Sequence, residues 1–150
     1  MALIDLSSLA QSSGPLLGID PGTKTFGLAV SDTTRLIASP AHTIRRKKFT
    51  PDVAKIFALY DEYACTAMVI GYPVNMDGSE GQRTQSVKDF CTNLLGLRDV
   101  PVLLWDERMS TAAVTRTLLE ADTSRAKRAD VVDKLAATYI LQGVLDRLRV

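Results

Sequence analysis

The chain has 150 residues, of which 46% are apolar and 23% charged, with a formal net charge of +1. That length and balance predict one soluble domain with a real core, and no apolar run approaches the length of a membrane span. The pI of 7.8 sits below the value of about 9 that dedicated nucleic-acid binders often exceed. One histidine and two widely separated cysteines exclude a disulfide scaffold and a zinc site of ordinary ligand spacing.

Residues 1–14 (MALIDLSSLAQSSG) lack the basic start and long apolar stretch of a signal peptide. They are expected to form a loosely ordered extension with a short amphipathic turn around Leu3, Leu6 and Leu9, ahead of one domain over 15–150. Without a secretion signal, Cys65 and Cys91 read as reduced thiols, which implies a cytoplasmic protein. Leu16 to Asp20 and Phe26 to Val30 are apolar runs separated by a Pro-Gly turn, the pattern of two adjacent antiparallel strands. Gly18 to Thr25 approaches a P-loop, but Thr23 stands where its second glycine belongs and a strand follows where a helix is required. The Asp-x-Gly-Thr turn of actin-like ATPases also fits locally, yet those folds need two such domains.

Leu36 to Ile44 predicts a third strand, with Pro40 directing it to an edge or a bulge. The run Arg45-Arg46-Lys47-Lys48 follows. Thr50 reads as a helix cap with Pro51 at the first helical position, and Val53, Ile56, Phe57 and Tyr60 form the apolar face. Ala67 to Ile70 suits a strand buried on both sides. A turn-rich loop, Gly71 to Gln82, lies beyond its C-terminal end, where α/β proteins place ligands. Arg83 to Leu97 predicts a helix and Val102 to Trp105 another strand. Ser110 or Thr111 then caps a helix carrying Ala113, Val114, Thr117 and Leu118. Asp122 to Arg128 reads as a basic linker, and a final helix runs from Asp130, its cap, to Leu148. The order β-β-β-α-β-α-β-α-α predicts a mixed sheet that starts antiparallel, continues parallel and is flanked by helices.

Three acids stand out. Asp20 ends the first strand, Glu107 follows the last strand, and Asp133 sits in the first turn of the final helix on the stripe of Ala137, Ile140 and Val144. Each has a plainer reading. Asp20 can cap its turn, Asp106 competes with Glu107, and Asp133 suits the helix dipole. Carboxylates converging from separate elements favour hard divalent ions such as Mg²⁺ or Mn²⁺. A pair of such ions serves in-line attack on a phosphodiester. His42, in a strand, reads as a packed or surface residue. No Ser-His or Cys-His pair offers a rival route.

The segments GIDPGTKTFGLAVSD, VIGYPVNMDGSEGQRTQSVKDF, LLWDERMSTAAVTRTLLE and VVDKLAATYIL resemble, in order, the four signature blocks of the YqgF family. This family, also called RuvX, comprises pre-16S ribosomal RNA nucleases with a ribonuclease H-like fold, and the resemblance covers residues 16 to 148. It implies a five-stranded mixed α/β sheet, three antiparallel strands and then two parallel ones. It also implies Asp20, Glu107 and Asp133 as a catalytic triad holding Mg²⁺ or Mn²⁺, two ions in all, and decides for Glu107 over Asp106. By the same resemblance Lys24, Asn75, Asp77, Arg83 and Arg108 lie around the active face. Arg125, Lys127 and Arg128, with the run Arg45 to Lys48, would hold the phosphate backbone. Tyr72 and Val74 replace the leucines common in the Gly-Leu-Pro-Leu-Asn loop.

The implied activity is processing of the 5′ end of pre-16S rRNA. Two rivals remain: a dimeric Holliday-junction resolvase acting on branched DNA, and a ribosome-assembly or nucleic-acid-binding factor without hydrolysis. Both monomer and homodimer stay open, and no membrane is implied.

Overall fold

In the computed structural model the described residues are 3–72, 81–106 and 125–149, with the side chains of 125–134 outside the description. The sheet has five strands in the order β3-β2-β1-β4-β5: β1 Leu16–Pro21, β2 Thr25–Ser31, β3 Ala38–Arg45, β4 Ala67–Tyr72 and β5 Val102–Asp106. The first three are antiparallel, and β4 and β5 run parallel to β1, which is the sheet the sequence predicts. The helices are α1 Leu6–Ala10, α2 Phe49–Glu62, α3 Gln82–Leu97 and α4 Arg125–Leu148. None of the described helices is long and apolar enough to cross a membrane.

β1 is buried along its whole length because both its faces are covered. Leu17 and Ile19 pack with Val53 and Ile56 of α2 and Val87, Phe90 and Leu94 of α3. Leu16 packs instead with Ile140, Leu141 and Val144 of α4. The alternation of strand side chains thus divides the core into two layers. Pro40 meets its expectation twice over. It lies on the edge strand β3, at a bulge where Leu28 pairs His42 while Ala29 pairs Pro40, because a proline has no N–H to give the ladder.

Several boundaries differ from the sequence reading. β3 starts at Ala38 rather than Leu36. The amides of Leu36 and Ile37 both donate to Asp32 Oδ1, at 2.8 and 2.9 Å, so they close a turn instead of joining the ladder. α2 begins at Phe49, and Lys48 rather than Thr50 precedes it without a side-chain cap. The buried Asp52 carboxylate reaches back to accept the Lys47 N–H at 2.8 Å. Arg125 to Arg128, read as linker, are the first turn of α4, and Asp130 is inside the helix rather than its cap. The predicted helix after Ser110 lies outside the described residues.

From residue 3 onwards the N-terminal extension, expected to be loosely ordered, packs on the domain. Asp5 caps α1 by accepting the Ser8 N–H, and Leu9 is fully buried against the α4 layer. Ile4 N–H donates to Val102 O at 2.9 Å. Arg35, with φ of 58°, turns its guanidinium onto this segment. It donates to Gly14 O at 2.7 Å, Leu9 O at 2.8 Å and Ser12 Oγ at 3.0 Å. Asp5, Leu9 and Arg35 are separately ordinary, so only their meeting reveals the packing.

Two consequences can be measured. Arg35→Ala removes three bonds to the extension and should cost about 1–3 kcal/mol, with amide hydrogen exchange of residues 6–12 rising well above that of β1. Equal exchange in the variant would show that Arg35 does not hold the segment. Asp32 is held down to about 2, first by the Ile37 amide, then by Thr34 and the Leu36 amide. A depressed folded pKa means stability that is present above the ordinary value of 3.8 and drains as pH falls towards 2. Melting temperatures recorded from pH 5 to 2 should therefore fall less steeply in Asp32→Asn than in the wild type.

Candidate active site

Asp20 is the acid that the fold singles out. It sits next to the C-terminal end of β1 and is 2% exposed. Strand alternation places it with Leu16 and Gly18 on the α4 side of the sheet. Its partner across the β1–β2 ladder is Gly27. Leu16 to Ile19 pair with Ala67 to Ile70, and one further step of that register sets Gly71 on the other side. Both neighbours therefore lack a side chain on the face where the carboxylate stands. Burying an acid is costly without compensation, and the two glycines leave lateral room for an oxygen-seeking cation beside it.

Gly71 pairs in turn with Trp105 of β5, so Asp20, Gly71 and Trp105 form one row across the sheet. Trp105 is 6% exposed, and its indole Nε1 is buried with no hydrogen-bond partner among the described residues. An unmade buried hydrogen bond costs about 1–3 kcal/mol, which makes this N–H a donor available to a ligand oxygen. Sequence reasoning took Trp105 for a core strand residue. Its place in the row becomes visible only through the register of β4 with β5.

α4 crosses this face antiparallel to β1. Gln142 Oε1 accepts the Ala38 N–H at 2.9 Å, and Arg149 Nη1 donates to Leu36 O at 3.0 Å, which ties the helix C-terminus to the far end of the sheet. At Gly18 the two backbones nearly touch. A Cβ there would stand 3.0 Å from Leu141 Cβ and 3.3 Å from Ala137 O. From Gly18 to Asp20 the strand advances about 6.6 Å, and from Ala137 back to Asp133 the helix advances about 6 Å. The backbone at Asp133 thus comes level with Asp20.

The remaining predicted residues divide clearly. Lys24 lies exposed in the β1–β2 turn, and Arg83 lies exposed in the first turn of α3. Glu107, Asn75, Asp77 and Arg108 lie outside the described residues. Arg125, Lys127 and Arg128 belong to the first turn of α4. Asp106 ends β5 opposite Tyr72. Among the described residues no three His, Cys, Asp or Glu side chains gather as a metal-binding group. The donor chemistry nonetheless fits a hard cation better than zinc. His42 is exposed on β3, and burial pushes the Cys65 and Cys91 thiols up to about 11 and about 12, so both remain protonated. Oxygen donors are left.

A mixed sheet of this order, with a buried acid at the end of its central strand, defines the class. The fold is that of the ribonuclease H-like resolvases. It superposes on Thermus thermophilus RuvC in complex with a Holliday junction substrate with a TM-score of 0.53 at 15% identity, over 91% of this chain and 96% of that one. A second structure of T. thermophilus RuvC gives 0.50 at 15% identity, over 90% and 96%.

Within that class the chain belongs to the RuvX family, whose model, described as a Holliday junction resolvase, matches residues 14–147. It is 58% identical over 149 residues to a protein of Phenylobacterium zucineum named "Putative pre-16S rRNA nuclease", covering 98% of this chain and 96% of the relative. A Rhodospirillum rubrum protein of the same name is 59% identical over 135 residues, covering 89% and 84%. The family resemblance carried by the four sequence segments is thereby borne out.

The contact at Gly18 can be tested directly. Gly18→Ala inserts a methyl group against Leu141 Cβ and the Ala137 carbonyl, neither of which can move aside without moving the helix. Overpacking of this kind costs about 1–3 kcal/mol, so the melting temperature should drop by several degrees. An unchanged melting temperature would mean that α4 lies looser on β1 than the geometry shows.

Proposed function

We propose that this chain is a divalent-metal-dependent nuclease, that its substrate is pre-16S rRNA, and that it trims the 5′ end in the cytoplasm. The observation that carries this reading is Asp20, a buried carboxylate between two glycines in a RuvC-like sheet. The names of the relatives from P. zucineum and R. rubrum support the choice of RNA.

Asp20, Glu107 and Asp133 would hold two ions, Mg²⁺ or Mn²⁺. When bound, such ions supply activation of water and neutralisation of charge on the scissile phosphate. The chain's own residues do the rest. β1 places the Asp20 carboxylate in the buried layer that faces α4, which limits the side-chain ordering left for the reaction. α4, pressed on Gly18, keeps solvent from the inner side of the acid. Lys24, Arg83 and the basic first turn of α4 offer charge to the phosphate backbone, with Asn75, Asp77 and Arg108 completing the substrate face.

The family model's description as a Holliday junction resolvase supports a second substrate, four-way DNA, which would require a homodimer with two facing sites. Wild type and Asp20→Asn should be compared with Mg²⁺ or Mn²⁺ on a labelled 16S precursor leader RNA and on a synthetic four-way junction. Cleavage of the RNA by the wild type, reduced at least about 100-fold in the variant, is the expected result. Symmetric nicking of the junction alone would move the assignment to the resolvase. A variant that folds and cuts RNA at the wild-type rate would remove Asp20 from catalysis. No cutting of either substrate by the wild type would leave a ribosome-assembly or binding factor.

A further inference from the structure

Beyond Asp20 the end of β1 opens on its other side into a second cleft. It is lined by the turn Pro21 to Thr23, by Arg46, and by Arg83, Ser86 and Phe90 of α3. The cleft offers about 50 Å³ to solvent, room for about four waters or one phosphate group.

Its two guanidinium groups are in unusual circumstances. Arg46 is fixed without an acidic partner among the described residues. Its guanidinium lies 4.5 Å from the centre of the Phe26 ring, Nη1 donates to Gly22 O at 2.6 Å, and its amide donates to Lys24 O at 2.8 Å. Phe26 itself rests on Phe90, with ring centres 5.0 Å apart. Arg83 makes no hydrogen bond or ion pair among the described residues. Arg98 shows the ordinary structural use of the same side chain. It grips Asp61 with two bonds, of 2.9 and 2.8 Å, and each partner stabilises the charge of the other. Arg46 and Arg83 instead line one small cleft with no acidic partner among the described residues, an arrangement of two cations that suits an anion.

We propose that this cleft is a phosphate subsite for the backbone of a nucleic-acid strand, and that it takes a phosphodiester neighbouring the one held at Asp20. The inference rests on the nuclease reading and adds a second anchor to it. Alternation at the end of β1 sends Asp20 to the α4 side, while Pro21 and the turn after it border the α3 side. A strand laid over the C-terminal edge of the sheet therefore meets a carboxylate centre and a guanidinium pair in succession. Arg46 is held by stacking and by a carbonyl, so little side-chain freedom is lost when the phosphate arrives.

The test reads binding in chelator, without cleavage. A fluorescent single-stranded RNA with a 5′-hydroxyl end is titrated with wild type, Arg83→Ala, Arg83→Lys and Arg46→Ala over a range of salt concentrations. Arg83→Ala should weaken binding about tenfold and reduce the slope of log affinity against log salt by about 0.7. Arg83→Lys should recover most of the slope. Arg46 also braces the turn, so Arg46→Ala counts only if its melting temperature matches the wild type, and Arg83→Ala decides otherwise. Wild-type affinity and slope in Arg83→Ala would overturn the subsite. Inorganic phosphate or a mononucleotide that protects the wild type against heat, and competes with the RNA at equal phosphate concentration, would overturn the strand assignment in favour of a free-phosphate site. Because no cleavage is read, loss of binding in Arg83→Ala stands even if Asp20→Asn cuts RNA normally, and that second result would remove the nuclease reading alone.

Discussion

The approach of α4 to β1 at Gly18 sets the geometry of everything around it. A helix this close to the central strand has no room to slide or rotate, because the Leu141 side chain and the Ala137 carbonyl border the space where a Cβ would stand. Gln142 and Arg149 then lock its far end to Ala38, the first residue of β3, and to Leu36 just before it. The position of α4 relative to Asp20 follows from those contacts. An active site assembled from a strand and a helix needs such a fixed distance more than it needs stability as such.

The last residues of β1 carry the second organising feature. A strand turns successive side chains to opposite sides, so two adjacent positions serve two separate chemistries. Asp20 faces the α4 layer among glycines, where a buried negative charge can be compensated. The turn beginning at Pro21 opens towards Arg46, Arg83 and the aromatic pair of Phe26 and Phe90. A near-neutral protein thus has a basic cleft beside its buried acid, because its charge is placed locally rather than in excess.

Where the sequence pattern was strong, the fold was legible. Apolar runs bounded by Pro-Gly, Thr-Pro and Gly marked every strand and three of the described helices, and the single acid in β1 pointed to Asp20. Two of the differences share one cause: a carboxylate four or five residues along the chain takes backbone amides that the apolar pattern or the cap signal assigns elsewhere. Leu36 and Ile37 look like strand residues, yet their amides serve the Asp32 carboxylate. Thr50 looks like a cap, yet Asp52 supplies the bond to the chain before the helix. Arg125 to Arg128 lacked an apolar face and were read as linker, although they continue α4. Asp20 was legible, whereas Glu107 was distinguished from Asp106 only by the family. Trp105 gains its place only from register, and the stacking that singles out Arg46 within the basic run Arg45 to Lys48 is not spelled out by any run of residues.

The N-terminal segment has a consequence for the order in which the chain can be built. Leu9 and Ser12 meet Arg35 early, since that arginine lies only a short way down the chain. Ile4 must wait for Val102, its partner on β5, and Leu3 forms its bridge to the same residue. During synthesis Leu3 and Ile4 therefore cannot dock until β5 has been made, long after α1 and the strands that follow it.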